Sequence, residues 1–157
     1  MSHAISIRDS IMSNILATLQ GISVANGYLT TPKLISKDRI KLPNETPQDK
    51  FPCLYFIDTD EPKTDEGGQE TQGNLQIVIT GYTKQARGGV EGEVQEDMRK
   101  LLCDVERALT VDASRGNNAI WTRIDDVKTD KGWWHPFAVF DMIVTVVYSY
   151  TYGQPNI

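Results

Sequence analysis

From Ala138 to Tyr152 the chain places Phe140, Met142, Val144, Val146, Tyr148, Tyr150 and Tyr152 at every second position. A period of two puts these side chains on one face of a β-strand. At about 3.3 Å per residue that strand would extend roughly 45 to 50 Å, more than twice the usual strand length. A strand of this length bends over its own domain or reaches a neighbour. The chain is thereby committed to a sheet, and the other segments must supply its partners and cover.

Two segments have the helical period instead. Ile7, Ile11, Ile15 and Met12, Leu16, Leu19 recur at three- and four-residue spacing and predict a helix from about Ser6 to Gln20, with Ser6 as N-cap and Gly21 as its stop. Beyond Gly88-Gly89, the residues Val94, Met98, Leu101, Leu102, Val105 and Leu109 share one helical face, with Glu91 and Glu93 where the helix dipole favours acids. Four further segments read as strands. Phe51–Ile57 and Leu75–Tyr82 are short apolar runs, and Ile120–Thr129 leads into the turn chemistry of Asp130-Lys131-Gly132. Tyr28–Leu42 reads as an exposed basic strand with Pro32 at its start or on an edge.

The expected order is α-β-β-β-α-β-β, an α+β fold with a mostly antiparallel five-stranded sheet and two helices packed on one face. The other face must be polar or be covered by another subunit. With 157 residues, 39% of them hydrophobic, residues 1–157 are expected to form a single domain with a modest core. No repeat with a period between about 20 and 50 residues is visible. Cys53 and Cys103, fifty residues apart in an apolar strand and an apolar helix, are expected to be buried reduced thiols. Arg8 and Asp9 interrupt Met1–Ser10, so no secretory leader is expected, and no apolar run is long enough for a membrane span.

The net charge of −5 is local. Asp58, Asp60, Glu61, Asp65, Glu66 and Glu70 face one base, Lys63, between residues 58 and 73, while the remaining 15 acids and 15 bases balance. This stretch also holds Pro62 and Gly67-Gly68, and a mobile acidic loop is expected over 58–73.

Catalytic signatures fail one by one. His3, near an end expected to fray, and His135, beside a proline, are too isolated for a catalytic pair, and no Gly-x-Ser-x-Gly elbow is present. Cysteines and histidines are not clustered as a zinc site needs. Gly88, Gly89 and Gly92 precede a helix, but no lysine follows in phosphate-loop spacing and Glu91 and Glu93 would repel a phosphate. The acids from Asp58 onward suggest a calcium loop until Lys63 falls where the turn glycine belongs and Gln69 where the bidentate glutamate belongs. Catalytic, metal and cofactor residues are therefore all expected to be absent.

Trp133-Trp134-His135-Pro136-Phe137 concentrates aromatic surface just after a turn. It can fold back onto the core, serve as a protein interface, or stack on nucleic-acid bases. Asp130 and Lys131 cancel in charge beside it, and no basic stripe surrounds it.

Several segments together resemble the tail terminator proteins of tailed bacteriophages, which are encoded among minor tail and neck proteins. They are the opening amphipathic helix, Phe51-Pro52-Cys53-Leu54-Tyr55 with Asp58 and Glu61 after it, and Ile79-Thr80-Gly81-Tyr82. The Leu101–Leu109 helix and Thr129-Asp130-Lys131-Gly132 with Phe140-Asp141-Met142 beyond complete the set. The resemblance implies a non-enzymatic virion protein that forms a ring, typically hexameric, on the head-proximal end of the tail tube. The ring would stop tube polymerisation and join the tube to the neck. Implied partners are further copies of the chain, the tail tube protein, neck or connector proteins and, in a contractile tail, the sheath. No membrane and no sequence-specific nucleic acid is implied, and the chain would reside in the host cytoplasm during assembly and in the tail or neck of the virion afterwards.

The alternative is another head-to-tail joining protein, a connector or stopper. A small nucleic-acid-binding module is disfavoured by the pI near 5.0. For the ring, the expected contacts are between the acidic residues Asp58, Asp60, Glu61, Asp65, Glu66 and Glu70 and the basic residues Lys33, Lys37, Arg39 and Lys41 of a neighbour. Apolar strand edges are expected to supply affinity, and Trp133 and Trp134 to anchor a partner.

Overall fold

The computed structural model describes residues 5–65 and 67–156; Met1–Ala4 (with His3), Glu66 and Ile157 lie outside them. The first helix, α1 (Ile7–Gln20), begins where Ser6 Oγ accepts the Asp9 N–H and ends at Gly21, whose N–H returns to Ala17 O. It buries Ile11, Met12, Ile15 and Leu19. The second, α2 (Glu93–Val111), starts from Gly92 at φ 88° and buries Val94, Met98, Leu101, Val105, Ala108 and Leu109. Both stripes are those expected from the 3.6-residue period.

The strands are β1 (Leu34–Ser36), β2 (Cys53–Asp58), β3 (Lys63–Asp65), β4 (Glu70–Lys84), β5 (Trp121–Thr129) and β6 (Phe137–Thr151). Their order in the sheet is β1-β2-β4-β6-β5, with β3 pairing β4 beyond the end of β2. The β1–β2 pair is parallel and the others are antiparallel. The fold class is thus α+β with two helices on one face, as expected, although the sheet is mixed and has six strands. At its centre β4 and β6, each 15 residues long, pair from Glu70↔Thr151 to Lys84↔Phe137. Their inner face presents Leu75, Ile77 and Ile79 with Phe140, Met142, Val144, Val146 and Tyr148, which join Leu54, Phe56 and the helix stripes in the main core.

Three expectations are corrected. Tyr28–Leu42 is not one strand, because only Leu34–Ser36 enters the sheet. Before it, the N–H groups of Leu29 and Thr30 are taken by the Asp104 carboxylate of α2 at 2.7–3.1 Å rather than by a ladder. After it, the chain folds over the outer face of the sheet, where Tyr82 donates its hydroxyl to Lys41 O at 2.7 Å.

Residues 58–73 are not simply a loop either. The ladder continues past β2 through Thr59 N–H to Gln76 O and Asn74 N–H to Pro62 O, and Lys63–Asp65 then pairs with Thr71–Gly73.

Cys103, third, lies on the exposed side of α2, about 100° per residue around from the stripe that Leu101 and Val105 define. Cys53 is buried as expected, and burial pushes its thiol up to about 12.

The outer face is also partly covered by the chain itself. Phe51, Cys53, Tyr55 and Tyr82 form a second, smaller core with Leu34, Ile40, Phe137 and Val139 packed against it. Thr46 and Tyr55 share a hydroxyl hydrogen bond of 2.8 Å beneath this cover.

Candidate functional site

The two long central strands give the molecule two ends, and each carries one of the surfaces singled out in the sequence. At the end formed by the start of β4 and the close of β6 lies the acidic hairpin. Glu61 is nearly buried there and accepts from Tyr148 Oη at 2.6 Å and from Lys63 Nζ at 2.7 Å, with Arg8 Nε 3.8 Å away. Asp58 pairs with the Arg8 guanidinium at 2.6 Å. Lys63 also donates to Tyr150 Oη at 2.7 Å and lies 4.8 Å from the centroid of that ring. Burial alone would lower the Lys63 ammonium, but its bonds to Glu61 and Tyr150 outweigh that and hold it above the ordinary lysine value. Burial, reinforced by Glu61, pushes the Tyr148 phenol upward.

The acids therefore divide. Asp58 and Glu61 are committed within the subunit, whereas Asp60, Asp65 and Glu70 are exposed. Asp65 accepts the Gly67 N–H at 3.0 Å. Glu66 lies outside the described residues.

The basic residues are not one surface. Lys33 is exposed and its N–H donates to Pro52 O at 2.8 Å. Lys37 shares a hollow with Asp9, Asp38 and Asp58 on the α1 side. Arg39 pairs with Glu45 at 3.2 Å, and Lys41 sits across from Tyr82 on the outer face. Tyr82 stands twelve residues along β4 from Glu70, roughly 40 Å away. Lys41 and the acidic tip therefore cannot meet within one subunit.

The opposite end is the turn between β5 and β6. Lys131 and Gly132 have φ of 58° and 82°, and Asp130 holds the turn by accepting the N–H groups of Gly132 at 3.3 Å, Trp134 at 2.9 Å and Val139 at 3.4 Å. Geometry separates the two tryptophans. Trp134 turns inward to line a cleft of about 270 Å³ with Ile40, Leu42, Val78, Tyr82 and Val139. Trp133 points away and is 86% exposed.

No family model and no curated protein matches the chain. Among solved structures, it is similar to a chain described as "Virion of native gene transfer agent (GTA) particle", at 9% identity over 92% of this chain and 98% of that chain, with a TM-score of 0.45.

Among the described residues, no group of three or more His, Cys, Asp or Glu is placed to hold a metal ion. No described helix is long and apolar enough to cross a membrane. Of the two edge strands, β1 is apolar at Leu34 and Ile35, whereas β5 differs from the expected apolar edge. β5 carries Arg123, Asp125, Asp126 and Lys128 and an irregularity between Ile124 and Asp126, features that discourage strand-to-strand pairing. Sequence reading missed the groove at the acidic end, lined by Lys63, Asp65, Thr71, Tyr150, Tyr152, Gly153 and Pro155. The signal was present in Tyr150 and Tyr152, where the alternation of β6 runs on past the buried Tyr148.

Proposed function

We propose that this chain is a structural virion protein, a tail terminator subunit that closes into a ring on the head-proximal end of a phage tail tube. The ring stops tube growth and offers the neck its docking surface. The observation that carries this reading is the placement of two unlike surfaces, the acidic tyrosine-lined end and the Trp133 end, at opposite extremes of one sheet. Unlike patches on one subunit make heterologous contacts, and those close into rings when the rotation allows. The sequence resemblance supplies the ring and tube context. The charged β5 edge is poorly suited to pairing, so the β1 edge, the ends and the outer face are the surfaces left to hold copies together.

Electron microscopy of the purified protein tests the class, and adding it to growing tail tubes tests the role. Rings with a central hole, six copies to each, and tubes whose growth stops with a ring at one tip are expected. A chain that stays monomeric at high concentration and leaves tube length unchanged refutes the reading. Rings that bind the portal and ignore tube ends would transfer it to the connector or stopper class.

A further inference from the structure

We propose that residues 37–50 form a strap that opens from the outer face of the sheet as a unit, while the core between sheet and helices stays folded. The inference concerns the single subunit and stands whether or not the ring reading holds. The strap's backbone–backbone hydrogen bonds all turn back on itself: Glu45 N–H to Leu42 O, Thr46 N–H to Pro43 O and Lys50 N–H to Pro47 O, at 3.0–3.3 Å. None joins the sheet. Within the strap only Pro43 and Thr46 are buried. No strap residue belongs to the main core, and Ile40 alone packs against the smaller one. A segment with few buried apolar contacts and no ladder opens locally at less cost than global unfolding.

Side-chain bonds tie the strap down. Tyr82 Oη donates to Lys41 O at 2.7 Å, Thr46 and Tyr55 share their hydroxyl bond of 2.8 Å, and Lys84 Nζ donates to Gln48 Oε1 at 2.7 Å. Other bonds lie inside the strap, Arg39 to Glu45 at 3.2 Å and Thr46 Oγ1 to Leu42 O at 3.2 Å, and brace it as one piece. The strap is also undercut. The cleft of about 270 Å³ is lined by Ile40, Leu42 and Pro43 of the strap and by Val78, Thr80 and Val139 of the sheet, so this edge lacks the close contacts that would hold it.

Opening bares Cys53, Tyr55 and Tyr82, which are buried when the strap is down. They then join Ile57, Val78 and Val139, the half-buried apolar residues on the same face. The molecule carries its own reporter of this motion. Thr46 of the strap reaches the Cys53 thiol, and burial holds that thiol near 12, so the closed form presents almost no reactive thiolate.

The test uses the full-length Cys103→Ser chain, in which Cys53 is the one remaining thiol. Its labelling by an excess of a small thiol reagent is followed across a urea series, beside global unfolding by circular dichroism. The labelling rate should rise with urea at about half the slope of global unfolding or less, because a local opening exposes less surface. Adding Tyr82→Phe, which removes one tie, should speed labelling roughly 5-fold. Adding Ile15→Val, in the α1 stripe of the main core, should lower the global midpoint and leave the labelling rate unchanged. Labelling that tracks global unfolding in urea and quickens with Ile15→Val makes strap and core one cooperative unit and overturns the proposal. A Tyr82→Phe rate equal to that of its parent overturns it too, as does a parent thiol that reacts as fast as an unprotected one.

Discussion

Asp104 shows how much one buried side chain can decide. It lies on α2 with 1% of its surface exposed, and its carboxylate accepts the N–H groups of Leu29 and Thr30 and the Thr30 hydroxyl, at 2.6–3.1 Å. Those bonds clamp the connection between α1 and the sheet to the second helix. Removing the acceptor leaves these part-buried donors without their charged partner, and a hydrogen bond to a charged group contributes about 1.5 to 3 kcal/mol. Asp104→Ala is therefore expected to lower unfolding free energy by about 2 to 4 kcal/mol, and Asp104→Asn by less, because one oxygen remains. Urea denaturation of the two variants measures this; equal midpoints with wild type would show that the clamp contributes nothing. None of this was legible in the sequence. The partners of Asp104 lie 74 and 75 residues away, and a periodicity argument sees only neighbours three or four apart. Arg115 was hidden for a different reason: it stands in the turn after α2, outside any periodic stripe. Fully buried, it donates to Leu109 O at 2.7 Å and to Asp112 O, closing the end of α2.

Elements with a strong period were legible, and those held by distant contacts were not. Both helices and the β6 alternation follow from residues at regular spacing. β1 shrank to three residues because the chain on either side is held by Asp104 and Tyr82 instead of by a ladder. β3 was missed because acids and glycines mask a hairpin whose charges are compensated by Arg8 and Lys63. The β4–β6 ladder also contains a packing device that spacing alone conceals. Phe140 lies across from Gly81, and Tyr148 across from Gly73, each ring resting over the glycine where a side chain would stand. A Cβ at Gly81 would come within 2.3 Å of the Phe140 ring, which is itself fully buried and has nowhere to retreat. Gly81→Ala is expected to cost about 1 to 3 kcal/mol by overpacking, seen as a fall of several degrees in thermal midpoint. The double variant Gly81→Ala/Phe140→Leu should recover part of that loss, and no recovery would place the strain elsewhere than in this pair.

At the scale of the whole molecule, the acids of the 58–73 segment separate into those that hold the subunit together and those that face outward. The sequence revealed the charge excess but not this division, since pairing with Arg8 and Tyr148 depends on the folded sheet. Glu61, with a side chain 6% exposed and bonds to Tyr148 and Lys63, belongs to the first group. Asp60 and Glu70, both exposed, belong to the second. Exposed charges add only about 0 to 1 kcal/mol each to a contact, yet they raise the rate at which complementary surfaces meet. Glu61→Gln should therefore destabilise the isolated subunit by about 1 to 3 kcal/mol. Asp60→Asn/Glu70→Gln should leave the thermal midpoint within about 2 °C of wild type, slow ring formation several-fold at low salt and flatten its dependence on salt. Light-scattering rates between low and high ionic strength, set beside thermal melts of the same samples, distinguish the two roles. An Asp60→Asn/Glu70→Gln chain that assembles at the wild-type rate with the same salt response would remove the outward acids from the assembly step.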